Sequence, residues 1–316
     1  MIYIVRRQSP DWHELATTFS RDGTFDSGAL LPSPLPIGFP ANLLELVALW
    51  NATFCLDFFT VRARIADIAE ENWQSLDGVA VYQQREIGNI AQAMIAAGRG
   101  AVCFVDDDDW FAPRLATVLK GLSRSKSHIV RWAAPLYDGK LYVRFAPRFF
   151  GKWAARSYEW ASARNWARAL YERVFRALAR RPSFGEFLPS DLVLMTNNYA
   201  VQARYVSEMQ SIACLRDHVE AALLVQRTNL KLRSLPNEWL SLTNKHPCSA
   251  GVLGRADNSD DTEAWLKTHV RRFADAATAF RAPSELAWAE PLIRATGHVF
   301  RDSCPTKRSG IVDQPL

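Results

Sequence analysis

The chain has 316 residues, of which 48% are hydrophobic and 22% are charged, and its formal net charge is +5. This balance excludes a largely disordered chain, which would lack the apolar surface needed to offset the entropy lost on folding. The five cysteines are odd in number, widely spaced and without a CxxC pair. They argue against a disulfide framework or a cysteine zinc site, and favour a reducing, cytoplasmic setting.

Strand-like and helical patterns alternate along the first half of the chain. Short β-branched and aromatic runs predict strands at 2–5, 78–83 and 101–105. Apolar residues at helical spacing predict helices over 41–50, 61–73 and 87–97, and Pro113 begins another because proline suits the first helical turn. This alternation favours an α/β fold with a mostly parallel sheet flanked by helices.

The second half continues with mixed patterns. Two strands, 129–134 and 141–145, surround a predicted turn at 137–140, and further strands are predicted at 192–196 and 230–235. Helical patterns cover 151–181, 206–228 and 262–279. No convincing linker interrupts the chain, so we expect a single domain over 1–316 with a helical C-terminal extension.

The strongest functional signal is the acidic turn, the four carboxylates Asp106 to Asp109 in AVCFVDDDDWF. It directly follows an apolar strand, and open α/β sheets bind ligands at the carboxyl ends of their strands. Adjacent carboxylates repel one another, so they need solvent or a cation, and oxygen ligands suit Mg²⁺ and Mn²⁺. We expect a metal here that bridges a diphosphate; the alternative is a solvated turn that starts the next helix.

Residues 84–115, QREIGNIAQAMIAAGRGAVCFVDDDDWFAPRL, resemble the core of the GT-A-fold glycosyltransferases, particularly the family-2-like group. In that group a helix and a small-residue turn lead to a hydrophobic strand that ends in a DxD motif. The resemblance implies a GT-A-like (Rossmann-like) fold, a nucleoside diphosphate sugar as donor, and Mn²⁺ or Mg²⁺. The DxD motif falls on 106–108 or, shifted by one, on 107–109. The opening segment departs from the group, which indicates a divergent branch.

The same resemblance implies roles for single residues of this chain. Asp106 and Asp107 would contact the nucleotide part of the donor, and Asp108 and Asp109 would hold the metal. His246 would be a further metal ligand, because some GT-A enzymes take one from a histidine near the C-terminus.

An inverting transferase also needs a general base that takes the proton of the acceptor hydroxyl. Residues 214–236 resemble the family segment that supplies it, which implies Asp217 as the base and Glu220 as the second candidate. His218 is an independent candidate, because histidine titrates near neutral pH. The alternative is an amphipathic helix that carries Asp217 and Glu220 on its surface.

Other polar residues are candidates for substrate contacts. Asn197 and Asn198 carry amides suited to the hydroxyls of a sugar acceptor, or they form a turn. Lys245 can meet a diphosphate as a point charge, or it belongs to a surface loop. Arg85 is a candidate nucleotide contact, with an exposed side chain as the alternative.

Residues 151–183 predict a basic amphipathic helical segment, with eight basic and two acidic side chains. The rest of the chain is therefore close to neutral. Such a helix can lie on an anionic membrane surface and meet a lipid-linked acceptor, or it can pack on the core with its basic face in solvent. No nucleic-acid-binding motif accompanies it, so we expect no nucleic-acid partner. We expect a cytoplasmic protein, either free or peripheral on the inner face of the membrane.

These observations favour a metal-dependent, inverting glycosyltransferase of hexosyl or related sugars. It would act on a glycan or lipid-linked acceptor in bacterial-type surface polysaccharide synthesis. Two alternatives stay open. One is a metal-dependent phosphoryl-transfer enzyme, although Trp110 stands where haloacid-dehalogenase-like phosphatases have threonine or valine. The other is a non-catalytic, membrane-associated adaptor whose acidic turn binds a cation.

Overall fold

The computed structural model describes residues 1–6, 10–20, 39–83, 100–122, 126–142, 197–205 and 230–302. Several sequence predictions lie outside these residues. They are the helices over 87–97, 151–181 and 206–228, the strand at 192–196, the basic segment 151–183, and the candidates Arg85, Asp217, His218 and Glu220.

The described residues contain ten strands and seven α-helices. The strands are β1 (Ile2–Arg6), β2 (Val79–Gln83), β3 (Ala101–Val105), β4 (Trp110–Phe111), β5 (Ile129–Ala133), β6 (Leu136–Tyr137), β7 (Leu141–Tyr142), β8 (Tyr199–Gln202), β9 (Leu232–Trp239) and β10 (Ser241–Asn244). The helices are α1 (Trp12–Ser20), α2 (Leu43–Thr53), α3 (Phe58–Gln74), α4 (Leu115–Lys120), α5 (Ala250–Asp257), α6 (Thr262–Thr278) and α7 (Glu290–Asp302). Two 3₁₀ helices span Ala203–Tyr205 and Ser284–Ala289.

The main sheet has the strand order β2-β1-β3-β8-β5-β9 in the described part of the chain. β8 runs antiparallel to both neighbours, and the other pairs are parallel. Because β2 and β3 lie on opposite sides of β1, the strand order reverses between β1 and β3. Open α/β sheets bind ligands outside the carboxyl ends of the strands at such a reversal. The predicted α/β fold with a mostly parallel sheet and C-terminal helices is confirmed.

A second, four-stranded sheet in the order β4-β10-β6-β7 continues from the first. β3, β5 and β9 point in the same direction, and each leads within a few residues into β4, β6 and β10 respectively. The second sheet therefore starts from the carboxyl edge of the main sheet. The acidic turn is the connection between β3 and β4, so it lies where the two sheets meet.

The two strands predicted around the turn at 137–140 lie in different sheets in the described residues. β5 lies in the main sheet between β8 and β9, whereas β7 pairs with the two-residue strand β6 across a turn in which Gly139 has a φ of +80°. Pro135 separates β5 from β6, and it has no N–H with which to continue a ladder. The turn was predicted correctly, but the strand before it belongs to a different sheet.

One glycine fixes the approach of β3 to β1. Gly100 precedes β3 with a φ of +121°, and a Cβ there would lie 2.7 Å from the carbonyl oxygen of Met1. Only glycine combines that backbone conformation with so close a contact. It allows the strand that carries the acidic turn to pair with β1 along its whole length, from Ile2 opposite Ala101 to Arg6 opposite Val105.

Helix α3 contributes much of the core and also faces the acidic turn. Its buried residues are mostly apolar, but they include Arg62 and Asn72. α6 and α7 pack against each other, and α7 also contacts α3. No single described helix is long and apolar enough to cross a membrane; α2 and α3, bent by 94°, pass that test together on length and composition alone.

Candidate functional site

The acidic turn is folded tightly onto the protein. The N–H of Asp109 donates to the carbonyl of Asp106 at 3.3 Å, and β4 begins at the next residue. Asp107, Asp108 and Asp109 are buried, and Asp106 is partly buried. The solvated-turn alternative is therefore wrong for three of the four carboxylates, which need partners inside the protein.

Arg62, on α3, is the main partner of two of them. Its Nη2 donates to both carboxylate oxygens of Asp107, at 2.9 and 3.0 Å, and its Nη1 donates to Asp108 Oδ2 at 3.1 Å. Trp12 holds the pair from α1, since its ring lies 4.5 Å from the guanidinium carbon and its Nε1 donates to Asp107. The guanidinium thus forms a buried, charge-assisted ion pair with the acidic turn.

Arg62 and Asp108 each shift the other's pKa in the direction that keeps both groups charged. Burial lowers the pKa of Arg62, but attraction by Asp107 and Asp108 outweighs that effect and raises the pKa above its ordinary value. Burial raises the pKa of Asp108, but the hydrogen bond with His246 and the charge of Arg62 outweigh it, so that the pKa is lowered. Asp108 and Arg62 are therefore both charged at neutral pH.

His246 completes the cluster on the side of the second sheet. Its Nε2 lies 2.9 Å from Asp108 Oδ2 and 2.7 Å from Arg62 Nη1. Its Nδ1 accepts from the N–H of Cys248 at 3.2 Å, so the neutral ring carries its proton on Nε2 and donates to Asp108. Burial lowers the pKa of His246, which keeps the ring neutral, and its ring stacks on Phe300 of α7.

Asp109 points to a different set of partners. Its Oδ2 accepts from Asn197 Nδ2 and its Oδ1 from the N–H of Asn244, both at 2.9 Å, and Trp73 Nε1 donates to its carbonyl at 2.9 Å. Burial, followed by the charges of Asp108 and Asp106, raises the pKa of Asp109 well above its ordinary value. Asp109 is therefore the carboxyl group of the acidic turn most disposed to hold a proton.

The two asparagines expected at the acceptor are buried and serve the protein itself. Besides Asp109, Asn197 Nδ2 donates to Thr243 Oγ1 at 3.1 Å. Asn198 Nδ2 donates to the carbonyl of Trp132 at 3.3 Å, and the N–H of Trp132 donates back to the carbonyl of Asn198 at 3.0 Å. An acceptor sugar would have to replace these partners, so the acceptor role of Asn197 and Asn198 stays a prediction.

Lys245 lies beside the acidic turn, as expected for a phosphate contact. Its N–H donates to the carbonyl of Tyr137 at 2.7 Å, and its charge lowers the pKa of both Asp108 and Asp109. The side chain is partly buried, and its ammonium makes no ion pair with any residue that the structure describes. Its role as a diphosphate contact stays a prediction, and its position is compatible with that role.

Several buried polar atoms near the acidic turn have no partner in the described residues. They include Asn244 Oδ1 and Nδ2, Ser249 Oγ, Arg62 Nε and Trp110 Nε1. An unpaired buried polar atom costs about 1–3 kcal/mol, so native proteins usually complete such atoms with water or a ligand. Asn244 lies between Thr243 and Lys245, and its N–H already binds Asp109. This end of the site therefore offers hydrogen-bonding capacity that the described protein does not use.

The expected metal ligands do not assemble. Asp108 and His246 are in contact with each other and with Arg62, whereas Asp109 points toward Asn197 and Asn244. Over the described ranges, no three acidic, histidine or cysteine side chains are arranged to ligate one metal ion. The donor set of Asp108, Asp109 and His246 thus does not fit the Mn²⁺ or Mg²⁺ that the sequence resemblance implies.

Sequence reasoning identified the acidic turn, His246 and Lys245 as neighbours in function, and the structure brings them together. The sequence patterns did not indicate Arg62, nor Trp12 and Trp73, which bind the acidic turn from α1 and α3. A signal for Arg62 exists in the sequence, because it shares the helical face of Phe58, Ile65 and Ala69, which are apolar. An arginine on such a face needs a buried acidic partner.

Comparisons with known proteins do not name a family. No family model matches the chain, and no curated protein matches it. Among solved structures, the crystal structure of S. aureus TarS is similar at 11% identity and a TM-score of 0.31, over 88% of this chain and 44% of that one. S. aureus TarS 1-349 is similar at 11% identity and a TM-score of 0.30, over 96% and 81%. This chain spans less than half the length of the first, and both likenesses are too weak to indicate a function.

Proposed function

We propose that this protein is a glycosyltransferase that moves a sugar from a nucleoside diphosphate sugar to a glycan or lipid-linked acceptor. One observation carries the proposal: the DxD-bearing turn lies at the carboxyl end of β3, beside the point where the strand order of the main sheet reverses. The sequence resemblance of residues 84–115, which includes this turn, supports the same activity. We also propose that the transfer inverts the anomeric configuration and that the donor carries a hexosyl or related sugar. The product would belong to surface polysaccharide synthesis.

The residues around the turn would divide the work of binding the donor. Lys245 supplies a positive point charge suited to the diphosphate. Asn244 and Ser249 supply buried hydrogen-bonding atoms that have no partner among the described residues, and these suit phosphate or sugar oxygens. Asp106, the least buried carboxylate of the turn, would contact the ribose or base side of the nucleotide, as the resemblance implies.

The proton of the acceptor hydroxyl needs a base in this reaction. Asp217 is proposed for that role, with Glu220 as the second candidate, on the resemblance of residues 214–236. A divalent metal would offset charge on the departing diphosphate, but the described ligand set of Asp108, Asp109 and His246 does not fit one. Attachment to a membrane surface through residues 151–183 is likewise proposed from the sequence.

Ligand-dependent thermal stability tests donor binding. Uridine, guanosine, cytidine, adenosine and thymidine diphosphates would be screened one at a time, each with and without Mn²⁺. A ligand that binds the folded state alone stabilises it by about 2.7 kcal/mol at 100 times its Kd, so one nucleotide should raise the Tm clearly. Lys245→Ala should lose that shift, and Lys231→Ala, an exposed lysine on the segment before β9, is the matched control.

Nucleotide binding in this screen and an assay of turnover together separate the alternatives. A phosphoryl-transfer enzyme would hydrolyse a simple phosphate ester without binding nucleotide sugars, and an adaptor would bind no nucleotide. Release of nucleoside diphosphate from the matching nucleotide sugar, lost in Lys245→Ala, would distinguish transfer from either one. If no nucleoside diphosphate stabilises the protein under any condition, the glycosyltransferase proposal is wrong.

A further inference from the structure

The acidic turn already contains a cation. The guanidinium of Arg62 contacts Asp107, Asp108 and His246 at distances between 2.7 and 3.1 Å, and its side chain is 3% exposed. Two carboxylates and an imidazole are the kinds of group that Mn²⁺ takes as ligands. Arg62 therefore binds the two carboxylates, and lies against the imidazole, that a divalent metal would need at this place.

The surroundings of the guanidinium stabilise its charged form and its position. Arginine stays protonated in proteins, and the attraction of Asp107 and Asp108 makes its deprotonation still harder. The rings of Trp12 and Phe39 lie 4.5 and 6.0 Å from its central carbon, which favours the cation further. A metal bound between Asp108 and His246 would stand beside this fixed positive charge, and repulsion between buried charges is strong.

We propose that Arg62 is the resident cation of the acidic turn and that it excludes Mn²⁺ and Mg²⁺ from Asp107, Asp108 and His246. This replaces the metal site expected at Asp108, Asp109 and His246 with an internal ion pair. The proposal does not depend on the glycosyltransferase function, because it concerns metal binding by the protein alone.

Removal of the guanidinium has a specific consequence. Asp107, Asp108 and His246 would lose the cation between them, and their side chains would then be free to turn toward one metal ion from the acidic turn and from the segment after β10. Arg62→Ala leaves room at that place for a metal ion and its waters. The variant should therefore acquire a metal site that the natural protein lacks.

Mn²⁺ alone, without nucleotide, is the probe. Bound and free Mn²⁺ are separated by electron paramagnetic resonance during titration of the full chain, and folding is checked by circular dichroism. We expect Arg62→Ala to bind one Mn²⁺ at least about tenfold more tightly than the natural protein, because a buried like charge has been removed. The gain should disappear in the Arg62→Ala, Asp108→Asn double variant.

Arg64→Ala is the matched control, since Arg64 stands two residues away on α3 and pairs with Asp302 at the surface. It should bind Mn²⁺ as the natural protein does. Comparison between variants cancels any metal site elsewhere in the chain. A folded Arg62→Ala protein that gains no Mn²⁺ would overturn the proposal.

A second pair of proteins decides the question even if Arg62→Ala does not fold. The natural protein and Asp108→Asn should bind Mn²⁺ equally, because the proposal allows no metal at Asp108 while Arg62 is present. Equal binding supports the proposal. Weaker binding by Asp108→Asn would show that the natural site takes the metal and would contradict it.

Discussion

Helix α3 carries two arginines in opposite surroundings. Arg62 is 3% exposed and binds Asp107 and Asp108, whereas Arg64 is 41% exposed and lies 3.3 Å from Asp302. Exposed ion pairs contribute about 0–1 kcal/mol, but loss of one partner of a buried pair costs about 3–5 kcal/mol. The comparison shows that position, rather than the presence of an ion pair, decides what an arginine does for this fold.

The largest expected effect is that of Arg62→Ala. It leaves Asp107 and Asp108 buried without their cation, so the free energy of unfolding should fall by about 3–5 kcal/mol. Denaturant titration followed by circular dichroism measures the change. Loss of less than about 1 kcal/mol would show that the buried pair behaves like a surface pair.

Asn72→Ala should have the next largest effect on stability. Asn72 donates to the carbonyl of Phe111 at 3.0 Å and accepts from its N–H at 2.8 Å, so the variant leaves two buried backbone groups unpaired. We expect a loss of about 2–3 kcal/mol in the free energy of unfolding. Gln74→Ala, on the exposed end of the same helix, should change stability by less than about 0.5 kcal/mol.

Mild acid should lower the free energy of unfolding through the buried His269. Burial, followed by the charges of Arg272 and Arg255, lowers the pKa of His269 to about 4. The unfolded chain takes up this proton near pH 6.5, so the stability contribution is complete above that pH and is lost as the pH falls toward 4. His269→Gln should flatten the dependence of the midpoint denaturant concentration on pH between these limits. An unchanged profile would mean that His269 does not titrate differently in the folded state.

The smallest effect is expected for Arg64→Ala. Its partner Asp302 is exposed and the pair is open to solvent, so stability should change by no more than about 1 kcal/mol. Added salt should reduce even this difference, because salt screens exposed charges. A salt-independent loss of the size expected for Arg62→Ala would remove the distinction between the two arginines.

Much of the fold follows from local sequence patterns. The strands at the start of the chain, before the acidic turn and around residue 80 are short β-branched runs, and all three occur where they were predicted. The strands β8 (YAVQ) and β10 (SLTN) were not predicted. Each has only four residues and includes polar ones, which is too short a run to show the alternation of a strand. Their pairing depends on neighbours that are distant in sequence.

The candidate site was predictable only in part, for a related reason. The acidic turn stands out because four carboxylates follow an apolar strand directly. Arg62 stands 45 residues earlier than Asp107, and only the packing of α3 against the end of β3 joins them. Sequence patterns predict local structure well, but they do not show which distant cation neutralises a buried carboxylate.

The central claim is that the acidic turn and Lys245 form a nucleotide-sugar site. Isothermal titration calorimetry with the five nucleoside diphosphates, on the natural protein, Lys245→Ala and Lys231→Ala, tests it most directly. We predict saturable heat with at least one nucleotide, lost or weakened at least about tenfold in Lys245→Ala, a difference of about 1.4 kcal/mol, and retained in Lys231→Ala. The absence of heat with all five nucleotides, or equal binding by Lys245→Ala and Lys231→Ala, would contradict the claim.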